Sequence, residues 1–201
     1  NFVRWDLSAF YYDYKDLQVT AFLSPGSIVR NAATAEIMGI EAQVAADITE
    51  NLSVTLGGAY MDAEYKDFPE AVGYVRGGSG LFQVFDVDAS GFRMQRAPKF
   101  SGNADVTYTM PLFEGMLALN ANLYYSSKVY FDQVEQFFQK SYALLNLRAT
   151  WTDPSEHWSF SVFGTNVTDT KYRNQVQPAT GAVQQGYGEP AVYGVSASYR
   201  F

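Results

Sequence analysis

Through most of this chain, apolar and polar side chains alternate every second residue, and few folds accept that pattern. The final stretch, GYGEPAVYGVSASYRF (residues 186–201), shows it plainly. Ala191, Tyr193, Val195, Ala197, Tyr199 and Phe201 fall on one parity, and Gly194, Ser196, Ser198 and Arg200 on the other. A period of two marks a β-strand with one apolar and one polar face. Soluble domains usually finish in a frayed polar tail. Here the alternation runs to the last ring, so Phe201 is expected to have a structural task.

The same pattern recurs between turn signals, and it predicts about eight strands with no helix. The first covers residues 2–22, with Val3, Trp5, Leu7, Ala9 and Tyr11 on one face, and ends at Ser24-Pro25-Gly26. The second covers 28–47; the third follows the link 48–50 and carries Leu52, Val54, Leu56 and Tyr60. Residues 69–91 break the pattern with Gly77-Gly78-Ser79-Gly80 and FDVDASG, and read as a long loop. The fourth strand is expected over 92–110, the fifth after the PLFEG turn around 117–123, and the sixth over 137–152. The seventh starts at Trp158, and a loop at 174–185 precedes the eighth.

Strands of about 16–20 residues at ~3.3 Å per residue and a tilt near 40° would stand roughly 40 Å tall. That exceeds the ~9–11 residues a membrane-crossing strand needs. Short connections at 48–51, 111–115 and 153–157 would share one side. The longer ones at 69–91 and 174–185, with links at 24–27 and 132–136, would share the other. Short periplasmic turns opposite long outer loops are the habit of outer-membrane barrels. In that arrangement Trp5, Trp151 and Trp158 reach one level on the apolar face and, with Tyr199, form an interfacial girdle. Pro98 and Pro190 have two readings: irregular pairing inside their strands, or strands that begin later than the periodicity suggests.

Composition narrows the classes. The net charge is −7 and the pI about 4.6, which argues against nucleic acid as a partner. The chain has no cysteine, so no disulfide framework or thiolate chemistry is available. No run of 18 apolar residues suggests a transmembrane helix. The chain starts at Asn1 without a signal peptide and is expected to be a piece of a longer protein.

Several segments in order carry a family resemblance: DYKDLQV (13–19), residues 31–68 with IEAQVAADITENLSVTLGGAY, RAPKFSGNADVTY (96–108), FGTNVTDTKYR (163–173) and GEPAVYGVSASYRF (188–201). Together they resemble the C-terminal barrel region of TonB-dependent outer-membrane receptors. Where the family often has Arg after the proline of the last motif, this chain has Ala191. The resemblance implies an all-β, antiparallel, up-and-down transmembrane barrel. Its eight strands would form the C-terminal portion of a wall of roughly 22 strands around a plug domain that this chain does not include. It further implies the outer membrane of a Gram-negative bacterium, lipid around the wall, and a small ligand bound outside and released when the TonB complex pulls the plug. Phe201 would then serve as an assembly signal read by the barrel assembly machinery.

Candidate sites follow. Arg4, Asp6, Glu41, Gln43, Asp105, Asn120, Asn122, Arg148 and Arg200 share the polar parity and are expected to face the lumen, as a hydrated network or as contacts to plug and solute. Tyr74, Arg76, Phe82, Phe85, Arg93 and Arg96 combine rings and guanidinium groups in outer loops, a mix suited to an anionic or aromatic ligand. FDVDASG lacks the full ligand series of a calcium loop, and the only histidine, His157, reads as solvent-exposed. No nucleophile–base pair can be assembled and no cofactor or metal is called for, so an enzyme is not expected. Uptake of a scarce solute, such as a ferric siderophore, is the expected function. A self-contained eight-stranded barrel and a carbohydrate-binding sandwich are the alternatives.

Overall fold

The computed structural model describes residues 2–23, 26–32, 34–78, 81–178 and 182–201. In chain order the strands begin with β1 (Val3–Tyr14), β2 (Leu17–Leu23), β3 (Gly26–Ala32), β4 (Thr34–Thr49) and β5 (Leu52–Asp67). They continue with β6 (Ala71–Arg76), β7 (Phe82–Val87), β8 (Phe100–Leu112), β9 (Gly115–Ser126), β10 (Val129–Tyr130) and β11 (Phe138–Gln139). The last five are β12 (Tyr142–Thr152), β13 (Trp158–Thr165), β14 (Arg173–Pro178), β15 (Val183–Tyr187) and β16 (Val192–Tyr199). Eight of them form one antiparallel sheet in the order β1-β4-β5-β8-β9-β12-β13-β16. The other eight pair as four separate hairpins, β2-β3, β6-β7, β10-β11 and β14-β15. The sheet is open, because β1 and β16 do not pair with each other, and no helix occurs among the described residues.

Sheet neighbours are joined alternately by tight turns and by these hairpins, which therefore all rise from one end. At the opposite end, β8 and β9 are linked by Phe113 and Glu114 alone, with φ of 50° and 63°. Two successive left-handed residues give a two-residue hairpin whose twist matches that of the strands. The β12–β13 turn is built by Asp153, whose carboxylate accepts from the Ser155 hydroxyl and from Trp158 N–H at 2.9 Å.

Three expectations change. The strands of the sheet run 8 to 16 residues, because the longest apparent runs are each two elements. Residues 2–22 divide at the left-handed Asp16 (φ 57°), and 28–47 divide between β3 and β4. The expected loop at 69–91 contains the β6-β7 hairpin, and the one at 174–185 falls within the β14-β15 hairpin. Finally, β8 starts at Phe100 and β16 at Val192, so Pro98 and Pro190 both precede their strands and remove no ladder donor. Ser24, Pro25, Ser79 and Gly80 lie outside the described residues.

The buried core lies in the hairpin end, away from the faces of the sheet. Val19, Ala35, Tyr65, Phe68, Ala71, Ala89 and Val134 pack together there, with the Tyr65 and Phe68 rings edge-on at 5.0 Å. The faces of the sheet bury little. The accessible surface is 12448 Å², against about 9,400 Å² for a compact monomer of this mass. Neither face is covered by a second layer, so this is not a sandwich.

Candidate functional site

Cross-strand register separates two chemistries. One row crosses all eight strands through Val3, Ala46, Val54, Val106, Ala121, Leu147, Gly164 and Tyr193. Every member is apolar or glycine. The row one residue away runs Asp47, Ser53, Thr107, Asn120, Arg148, Phe163 and Gly194. Successive side chains point to opposite faces, so a shift of one residue changes an apolar face into a largely polar one.

On the apolar face, Trp151, Phe160, Trp158, Tyr199 and Phe201 form a continuous aromatic cluster near the tight-turn end. Trp151 and Phe160 stack at 6.2 Å, Trp158 lies 4.8 Å from Tyr199, and Tyr199 lies 5.1 Å from Phe201. The Trp151 indole donates to Leu112 O at 2.8 Å. Trp5 is on the same face but on β1, at the far edge of the sheet, and is 70% exposed. His157 is exposed and stacks on Tyr199 at 5.9 Å.

The polar face holds a hydrogen-bonded ladder. Asn120 Nδ2 donates to Asp105 Oδ1 (3.0 Å) and Thr107 Oγ1 (2.9 Å), Asn122 Nδ2 to Asp105 Oδ2 (3.5 Å), and Asn146 Nδ2 to Asn122 Oδ1 (3.3 Å). Asn146 in turn accepts from Asn166 N–H at 2.9 Å. Arg148 lies over the Phe163 ring at 4.8 Å. Elsewhere on this parity Asp6 pairs with Gln43, Glu41 with Ser8, and Arg4 with Ala45. Arg200 follows β16, its N–H donating to His157 O at 2.8 Å. Toward the hairpin end the same face carries two aromatic ladders. Phe10, Tyr12 and Tyr14 follow one another at 5.6 and 6.0 Å, and Tyr124, Tyr142 and Tyr172 at 6.0 and 4.7 Å.

The hairpins enclose a pocket of about 330 Å³ between β2, β6, the β10–β11 turn and β14. Its polar lining is Gln18, Thr20, Tyr74, Gln95, Arg96, Asp132, Gln133, Gln175 and Gln177. Asp132 organises the turn beside it. Its carboxylate accepts from Val134, Gln136 and Phe137 N–H, at 3.3, 3.1 and 2.7 Å. Burial pushes the Asp132 carboxyl above the usual carboxylate range, and those backbone bonds oppose the rise. The turn then pins its neighbours. Gln136 accepts from Tyr74 N–H and donates to Tyr74 O, both at 2.9 Å, closing an edge of β6 as another strand would. Gln133 accepts from Val72 N–H (3.4 Å) and donates to Thr20 O (3.3 Å).

Of the outer-loop candidates, Tyr74 and Arg96 line this pocket. Arg76, Phe82 and Phe85 belong to β6-β7 outside it, Phe85 lying against Gly73 and Phe82 against Phe137. Arg93 is turned to Asp62, whose Oδ1 sits 3.9 Å from Arg93 and 3.4 Å from Lys99. These are ion-pair contacts, since that oxygen has no hydrogen-bond partner. The pocket glutamines and Asn166 carried no signal that single-sequence patterning reads, whereas Asn146 lies on the polar parity of its strand beside Arg148. Among the described residues no cluster of His, Asp or Glu has metal-holding geometry. In FDVDASG, Asp88 instead accepts from Ser90 N–H at 2.9 Å in a local turn.

An open antiparallel sheet with an apolar outer row, a polar inner row, tight turns at one end and paired hairpins at the other defines part of the wall of a transmembrane β-barrel. The chain belongs to the TonB dependent receptor-like, beta-barrel family, whose model matches residues 1–167. Solved structures share the fold. It is similar to the ferric yersiniabactin uptake receptor FyuA from Yersinia pestis, with a TM-score of 0.78 and 19% identity over 99% of this chain and 28% of that one. It is also similar to BauA, the ferric preacinetobactin receptor from Acinetobacter baumannii, with a TM-score of 0.70 and 21% identity over 98% and 27%. For the ferric citrate transporter FecA the values are 0.71 and 15%, over 99% and 29%. The chain thus spans little more than a quarter of the length of these relatives. The family is one of receptors and transporters rather than enzymes, and its members lie in the outer membrane of Gram-negative bacteria.

Proposed function

We propose that this chain is the C-terminal wall segment of a TonB-dependent receptor whose remaining strands and plug belong to the same protein. The whole receptor takes up a scarce solute, for which a ferric siderophore is the first class to test. The observation that carries this reading is a sheet with one apolar and one polar, ladder-lined face and a polar pocket among the hairpins at one end. The apolar row meets lipid, and Trp5, Trp151, Trp158 and Tyr199 mark its periplasmic boundary. Asp105, Asn120, Asn122 and Arg148, with the other residues of the polar parity, meet the plug and hydrated interior. Those similar proteins handle ferric yersiniabactin, ferric preacinetobactin and ferric citrate, which supports iron chelates as the solute class.

Energy for release would come from TonB acting on the plug. Phe201, ring-packed against Tyr199, would be the aromatic through which the barrel assembly machinery recognises β16. Uptake of radioactive iron from a panel of chelates, in cells lacking and carrying the full-length receptor, tests the reading. It predicts accumulation that needs both the receptor and TonB. Accumulation unchanged by loss of the receptor for every chelate would remove it.

A further inference from the structure

We propose that the outer pocket selects an electroneutral chelate, rich in amide, hydroxamate or hydroxyl oxygens, over polyanionic ones. The inference rests on the uptake reading above and adds the charge class of the ligand. Among the described side chains, the pocket lining holds one cation and one carboxylate, Arg96 and Asp132. Asp132 is 4% exposed, and both of its oxygens already accept backbone N–H groups of its own turn. The Arg96 guanidinium lies 6.0 Å from the Phe131 ring centroid, on a backbone held at φ 60° with its N–H donating to Tyr130 O. A left-handed arginine is strained, so its position in the wall is imposed by the surrounding loops.

The remaining polar capacity is largely side-chain amide. Gln18 and Gln95 make no side-chain hydrogen bond to a described residue, and Gln175 donates to Gln177 at 3.2 Å on the opposite wall. An amide both donates and accepts, so this lining matches carbonyl, N–O and O–H groups without supplying charge. Three hydroxamates cancel the charge of ferric ion and leave a neutral complex; three catecholates leave a trianion. A trianion entering this pocket would lose hydration and find, among the described side chains, the single guanidinium of Arg96 and the buried carboxyl of Asp132.

The test uses the full-length receptor in detergent, with isothermal titration calorimetry reporting the binding of an uncharged ferric cyclic trihydroxamate, a ferric tris-catecholate and ferric citrate. The neutral complex is expected to bind about 100-fold more tightly than the trianion at low salt. The double variant Gln18→Arg, Gln95→Arg is expected to close that gap by about tenfold or more while the protein still migrates as a folded barrel. Tighter binding of either anionic complex by the unmodified receptor would overturn the charge inference and leave the uptake reading standing. An unchanged ratio in the arginine variant would take the selection away from this pocket. A folded receptor that binds none of the three would overturn the charge inference, and the uptake panel would still decide the uptake reading.

Discussion

Gly194 shows how much a single side chain decides in this sheet. It pairs with Phe163, and a Cβ there would lie 2.5 Å from Phe163 Cζ, so the ring lies over the glycine and Arg148 lies over the ring. Gly194→Ala must displace Phe163 and uncover Arg148. A loss of about 1–3 kcal/mol in unfolding free energy is expected, because overpacking forces the ring off its rotamer. Urea unfolding of the receptor in micelles measures it, and no change in midpoint would mean the ring is not held there. Asp153 gives a prediction in pH. The Ser155 hydroxyl, then Trp158 N–H, hold its carboxyl below the usual range. A depressed folded pKa means the turn's stabilisation is complete above the ordinary value of about 3.9 and is lost as pH falls through the folded one. A carboxyl-carbon NMR titration should place the midpoint below about 3.9; a midpoint at or above it would contradict the turn geometry.

Within an element, consecutive residues meet different solvents. Val106 belongs to the apolar row of β8 and Thr107 to the polar row. Val106→Arg is therefore expected to cost about 2–4 kcal/mol if the site is near mid-depth, and Thr107→Arg far less. Comparing the folded fractions of the two variants in lipid checks this, and equal penalties would mean the faces are misassigned. Strand alternation was legible because a β-strand repeats with the same period as its two solvents. The β6-β7 hairpin was not, since residues 69–91 owe their order to distant partners. Phe68 and Ala89 bury against Val134, and the backbone N–H groups of Val72 and Tyr74 reach glutamines 61 and 62 residues away. The site divided in the same way. Tyr74 and Arg96 stood out by residue type, whereas Gln18, Gln133 and Gln136 have neither charge nor period to mark them. Arg93 looked equivalent to Arg96 in sequence, yet an ion pair with Asp62 turns it elsewhere.

At the scale of the molecule, the eight-stranded sheet has two uncovered faces and two unpaired edges, and its buried core lies at the hairpin end, where Ala35 of β4 and Tyr65 of β5 pack with hairpin residues. Such a sheet is stable where lipid takes one face, a hydrated interior or plug takes the other, and further strands take the edges. The isolated chain in aqueous buffer is therefore expected to aggregate, and light scattering after dilution from urea would show it. A monodisperse, folded monomer would count against the wall-segment assignment. The central claim is the assignment of the two faces. Cysteines placed one at a time from Leu117 to Leu123 in the full-length receptor would carry a spin label through β9. Collision rates with oxygen, which partitions into lipid, and with a water-soluble nickel chelate would then be measured in membranes. Oxygen access should peak at Leu117, Leu119, Ala121 and Leu123, and fall at Ala118, Asn120 and Asn122. Loss of the two-residue period, or a reversal of its phase, would contradict the account.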